Sequence, residues 1–450
     1  MKKEDLERFN EWWSTGTVRD ALAPAYHRRP FESVSRLLGY RQAVVLTGLR
    51  RVGKSTILYQ LIRKIIQETE PSGVLYFSFE ERGEGAKEVL EAYERTVLKK
   101  PLDRAGKVHI MLDEVQYSRD WLSAVKRYYD LYPNVKFYLS GSSSLLVSGK
   151  TLESLAGRFF FVEVYPMSFR EFAEARGDVK PGGEPTSRLE PIFHDYLAKS
   201  GFPEVAGWED EERVAEYVRN SVVDRVLLRD FPALLGARDT LLLGRLFAAL
   251  VSRPGGTANL NELSREFGAS RITVARYLRS LERSFLLRGL ANFRPSIRSS
   301  SRKLRRYYPA TTSLIRAVSR QAFQRESGGV LETYVINALG ATHYYRQGRV
   351  EVDAILGGGD VAVEVKSGAD ERDVDKLARA ATRIGSRKRM IVSLSDRFSR
   401  KGVEVVPAYA LEWETPASSM QIEAVKPSVA TSSETIVREM RGRRHGKEMG

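Results

Sequence analysis

The chain has 450 residues, a formal net charge of +15 and no cysteine. That length exceeds one ordinary hydrophobic core, so two to four domains are expected. The lack of cysteine excludes disulfides and thiol catalysis, and five scattered histidines argue against a structural zinc site. The basic excess points to polyanionic partners, nucleic acid first and anionic lipid second. No apolar run is long enough to span a bilayer, and the start MKKEDLERFNEWW has no apolar segment of the secretory type. A cytoplasmic location is the expectation.

In chain order, residues 1–40 read as an N-terminal helical arm. Residues 41–165 follow, with apolar strands at Gln42–Leu46, GVLYFSF, VHIMLDE and VKFYLSG separated by helical stretches. Strands apolar on both faces and alternating with helices predict a parallel α/β sheet. Residues 166–240 lose the strand signal and read as helices. Residues 241–310 give three short helices, a glycine-containing turn before the third, and a β-like arm, which predicts a winged helix-turn-helix. Residues 311–413 return to α/β, and residues 414–450 are polar, poor in aromatics and expected to be disordered.

The stretch GLRRVGKS, Gly48 to Ser55, fits the phosphate-binding loop G-x-x-x-x-G-K-[ST]. Its glycines let the backbone N–H groups of Arg51, Val52, Gly53 and the residues up to Thr56 turn inward around phosphates. Lys54 reaches the β- and γ-phosphates, and the Ser55 hydroxyl ligates Mg²⁺. Asp113 at the end of VHIMLDE is the second metal-side group, and Glu114 is the group that activates water. Ser140 and Ser142 lie after a neighbouring strand and are candidates to sense the γ-phosphate. Arg158 in LAGRFF is a candidate charge stabiliser, in cis or from a neighbouring subunit.

Between Arg294 and Arg306 the chain reads RPSIRSSSRKLRR, six basic residues and no acid. Arg298, Arg302, Lys303, Arg305 and Arg306 are predicted to lie on phosphates from the wing, and Arg271 and Arg276 to enter a groove from the third helix. In EVDAILGGGDVAVEVKSG a symmetric four-residue turn pairs Asp353 with Glu364 and Glu351 with Lys366 on one strand face. Opposed like charges suggest a second divalent ion, Mg²⁺ or Mn²⁺, held by Asp353, Glu364 and Glu332 of the preceding helix. Lys366 would then position water or phosphate.

The combination GLRRVGKST, LDEVQ, LSGSSS, LAGR, YPMSFREF and SGFPEV resembles the prokaryotic AAA+-type ATPases of the AAA_14 kind that carry a C-terminal DUF4143 region. The resemblance implies an α/β multidomain protein: a P-loop ATPase core, a helical lid over 166–240, a winged helix, and a C-terminal domain like the PD-(D/E)XK restriction-type nucleases. It departs at YYPATTSL, where the aspartate that relatives carry near Ala310 is absent. Two functions follow. One is a Mg-dependent ATPase coupled to DNA binding, with metal-dependent cleavage by the last domain and homo-oligomers in play. The other is a STAND-like regulatory switch whose nuclease-like domain only binds. A nucleotide-dependent membrane-surface protein has net charge alone behind it.

Overall fold

A computed structural model describes residues 1–80, 83–141, 157–232, 239–294, 304–415 and the backbone of 425–427. The chain divides into two compact units: residues 1–48 with 53–164 and 423–450, and residues 49–52 with 165–422.

The sheet of the first unit contains β1 (Ala43–Gly48), β2 (Val74–Ser78), β3 (Val108–Asp113), β4 (Val135–Gly141), β5 (Phe159–Val164) and a short edge strand, Val425–Pro427. Its order is edge, β5, β1, β4, β3, β2; the five long strands are parallel and the edge strand pairs antiparallel with β5. β1, β3 and β4 are buried along their whole lengths, as their unbroken apolar runs predict. β1 lies between β4 and β5, so the loop leaving its carboxyl end opens where neighbouring connections diverge.

Two expectations change here. The N-terminal segment, expected as a helical arm, carries the helices Lys3–Glu7, Trp12–Thr15 and Arg29–Arg36 and is packed against β2. Trp12 is fully buried, the indole N–H groups of Trp12 and Trp13 both donate to the Val74 carbonyl, and the Asn10 amide pairs with the Tyr76 backbone in both directions. The last segment was expected to be wholly disordered, yet Val425–Pro427 adds a strand to β5. Residues 416–424 and 428–450 lie outside the described residues.

The second unit is helical from Phe169 to Phe231 within the described residues, without a named strand. The helix Thr240–Val251 follows, then β6 (Thr257–Asn259), helices Leu260–Glu266 and Arg271–Arg283, β7 (Leu287–Asn292) and β8 (Leu304–Pro309). β8 pairs antiparallel with both β6 and β7, the order a helix-turn-helix followed by a hairpin demands. The hairpin does not close a separate domain at residue 310. β7 also pairs in parallel with β9 (His343–Gln347), which passes to β10 (Val350–Leu356), β11 (Val361–Val365), β12 (Lys388–Ser393), β14 (Val403–Pro407) and β13 (Phe398–Arg400). One nine-stranded mixed sheet results. The helix Glu371–Ile384 crosses between parallel strands β11 and β12, and packs Val374, Leu377 and Ala381 on Val352, Ile355 and Ala362.

Candidate functional site

The loop after β1 is built by glycine at two positions. A Cβ on Gly48 would sit 2.1 Å from the Val164 carbonyl oxygen, so no other residue fits without moving β5. Gly53 has φ +93, and the helix Lys54–Ile65 starts directly after it without a side-chain cap hydrogen bond. Arg51 also takes a left-handed conformation, φ +65. Lys54 is buried, with its ammonium 3.3 Å from the Gly48 carbonyl. The ammonium thus lies folded over the loop it is expected to serve.

Three strands and this helix bring their polar groups to one point, the Asp113 carboxylate. Ser55 donates to Oδ2 at 2.6 Å, Tyr76 donates to the same oxygen at 2.7 Å, and the Ser140 hydroxyl bonds Oδ1. Asp113 is itself buried. Burial and the neighbouring carboxylate hold the Tyr76 hydroxyl well above the usual tyrosine range, so it stays a donor. Ser140 therefore braces the carboxylate from within the core, and Ser142 lies outside the described residues. Glu114, next in line, takes φ 51 and ψ 44, rare for a non-glycine residue. Its N–H donates to Asp113 Oδ1 at 3.1 Å, and its carboxylate accepts from Gln116. Strained backbone at a strand end is a recurrent mark of functional residues. Sequence reasoning missed Tyr76; its only signal was a polar tip in the apolar strand VLYFS.

Ser55 and Asp113 thus bring two hard oxygens, from the helix after the loop and from the end of β3, into direct contact. Arg158 does not join them. Its carbonyl accepts from Ala43 at the start of β1, while the phosphate loop leaves the far end, and its guanidinium holds Asp130 at 3.0 Å. The two ends, Ala43 and Gly48, are five strand steps apart, roughly 16 Å. A role in cis is ruled out by that distance.

In the second unit the hairpin register is as the turn predicted: Ala354 opposes Val363, Ile355 opposes Ala362 and Leu356 opposes Val361. Continuing it places Asp353 opposite Glu364. Asp353 Oδ2 accepts from the Val365 N–H at 2.9 Å, and Lys366 holds Glu364 at 2.7 Å. Glu332, on the helix Ser327–Ala338, joins them electrostatically. Burial first, and then the Asp353 charge, raises its carboxyl to about 7. Burial and Asp353 also raise Glu364.

The four residues thus meet, but the centre is taken by a fifth. Arg306 lies 3.5 Å from both Glu332 and Asp353, pairs with Glu351, and stacks 4.8 Å over the Tyr344 ring. Tyr308, two residues on along β8, donates to Glu332 at 2.5 Å. Among the described residues no group of three or more acidic or histidine side chains converges as metal ligands. As arranged, these carboxylates are engaged by the Arg306 guanidinium.

The expected wing changes accordingly. Arg306 is only 8% exposed and is not presented to phosphates, whereas Arg305, partly exposed, pairs with Glu282 at 2.8 Å. Arg298, Arg302 and Lys303 lie outside the described residues. Arg271 and Arg276 are exposed on the helix Arg271–Arg283, and Arg279 and Arg283 extend the same basic surface.

Residues 40–173 match the family model described as AAA domain. This stretch is similar to the P-loop ATPase core of AAA-type proteins. Residues 190–325 match a domain of unknown function, DUF8612. An uncharacterized protein of Haemophilus influenzae is 27% identical over 249 residues, 54% of this chain and 60% of that protein. Two uncharacterized proteins of Methanocaldococcus jannaschii are 28% identical over 262 residues and 29% identical over 192 residues. They cover 55% and 40% of this chain, and 56% and 37% of their own lengths. The chain thus spans less than two thirds of each relative. Among solved structures, RuvB of Thermotoga maritima aligns with a TM-score of 0.28 at 15% identity, covering 64% of this chain and 89% of that one. DnaA of Aquifex aeolicus, bound to AMPPCP, aligns with a TM-score of 0.28 at 17% identity, covering 69% and 96%. No helix among the described residues is long and apolar enough to cross a membrane.

Proposed function

We propose that the chain is a Mg-dependent ATP hydrolase whose second unit grips DNA through the helix Arg271–Arg283, as a winged helix does. In the ATPase site Lys54 neutralises the β/γ-phosphate charge, and Ser55 and Asp113 hold the metal. Bound Mg²⁺ supplies further charge neutralisation at the transferred phosphoryl group. Glu114 accepts a proton from the attacking water as the water oxygen bonds to Pγ and the bridge to the β-phosphate breaks. The first helical turns of Arg271–Arg283 carry the DNA reading. Arg271, Arg276 and Arg279 stand exposed on one helix while Val274, Tyr277, Leu278 and Leu281 hold its other face in the core. A basic face fixed by a buried apolar face is the arrangement that neutralises phosphates in a groove.

The test is fluorescence anisotropy with labelled duplex and single-stranded DNA, with and without ATP. Arg276→Ala with Arg279→Ala should weaken binding to all sequences, and each lost phosphate contact should reduce the salt slope by about 1. A wild-type chain without DNA affinity, or a double variant with an unchanged salt slope, would overturn the DNA reading. The regulatory switch acting on a protein partner would then take its place.

A further inference from the structure

We propose that Arg306 is a built-in plug, a resident cation that occupies the place among Glu332, Glu351 and Asp353 where a divalent ion would otherwise bind. The inference goes beyond the DNA grip proposed above and does not depend on it.

Four carboxylates crowd this end of the sheet: Glu332 from a helix, Glu351 and Asp353 from β10, and Glu364 from β11. Lys366 and the more distant Lys376, at 2.7 and 3.9 Å, serve Glu364. Arg346 lies 3.6 Å from Glu351. For Glu332 and Asp353 the near cation is Arg306. Its side chain is held there from three sides. β8 pairs with β6 and β7 on its two edges, the Tyr344 ring lies under the guanidinium, and Arg305 is turned to the opposite face by Glu282. The fit is imperfect for an arginine. Its Nε is buried without a hydrogen-bond partner among the described residues, and both contacts to Glu332 and Asp353 are long at 3.5 Å. A guanidinium brings one positive charge to three neighbouring carboxyl groups. A divalent ion brings two in a smaller volume. Cation and plug exclude one another because they need the same carboxylate oxygens.

Mn²⁺ binding to the full chain, read by electron paramagnetic resonance of the free ion, tests this directly. Arg306→Met should bind one Mn²⁺ more than ten times as tightly as the wild type at this site. Adding Asp353→Asn to it should remove that ion and leave uptake at the ATPase site unchanged. Arg306→Lys retains a charge in the cluster but reaches fewer carboxylates, and should fall between the two; it carries the test if the Met variant does not fold, as judged by circular dichroism. If the wild type already binds an ion that Asp353→Asn removes, Arg306 is no plug, although the metal site stands. If neither Arg306 variant gains an ion, the cluster is not metal-competent and the proposal falls, with the DNA grip unaffected.

Discussion

The Ser55 hydroxyl and the Asp113 carboxylate lie 2.6 Å apart and join the first turn after the phosphate loop to the end of β3. In the proposed ATPase these two oxygens are the protein's contribution to the metal site. Asp113→Asn should therefore leave nucleotide binding without Mg²⁺ nearly intact. It should raise the Mg²⁺ concentration required for turnover on the order of 10–100-fold. Titration of ATPase rate against Mg²⁺ checks this; an unchanged midpoint would remove Asp113 from the metal side.

Glu114 is held in a left-handed conformation with its N–H tied to Asp113. Glu114→Gln keeps the shape and loses the proton acceptor. Hydrolysis should fall roughly 100-fold or more while ATP affinity stays within about twofold. Single-turnover hydrolysis beside equilibrium nucleotide binding separates the two. Equal rates in variant and wild type would show that another group activates the water.

The carboxyl of Glu332 sits near 7, raised by burial and by Asp353 against the helping contacts of Tyr308 and Arg306. In the unfolded chain it returns to about 4.3. Between those values the native state binds more protons than the unfolded state, so stability falls as pH rises from about 4.3 to about 7. The loss from this group is on the order of 3–4 kcal/mol at most. Glu332→Gln should flatten that slope in chemical denaturation of the second unit followed from pH 5 to pH 8. A slope as steep as that of the wild type would contradict the assignment.

Trp12 is buried and hydrogen-bonded to β2, far along the chain from its own segment. Trp12→Ala should destabilise the first unit by about 3–5 kcal/mol. It should also lower ATPase activity by unfolding rather than at the site, which denaturation midpoints with and without nucleotide will distinguish. An unchanged midpoint would return residues 1–40 to the status of a loose arm.

The sequence by itself determined whatever depends on residues close together in the chain. The phosphate loop was legible because glycine, lysine and serine must fall at fixed spacing between a strand and a helix. Asp113 and Glu114 followed from an apolar run ending in acids. The register of the Glu351–Lys366 hairpin followed from the symmetry of one short turn, and the observed pairing of Ala354 with Val363 agrees with it. Tertiary structure alone decided the rest. Whether Arg158 stands at the phosphate end of the sheet or the other depends on which way β5 runs beside β1. Whether Trp12 packs on β2, and whether β7 continues into β9, depends on pairings between distant segments. The role of Arg306 was hidden for the same reason. In sequence it is one of six basic residues in an exposed-looking arm. In space, strand alternation turns it inward, where carboxylates from 26 and 47 residues away surround it. A charge pattern read along the chain cannot distinguish a cation offered to phosphate from one already neutralised by the fold.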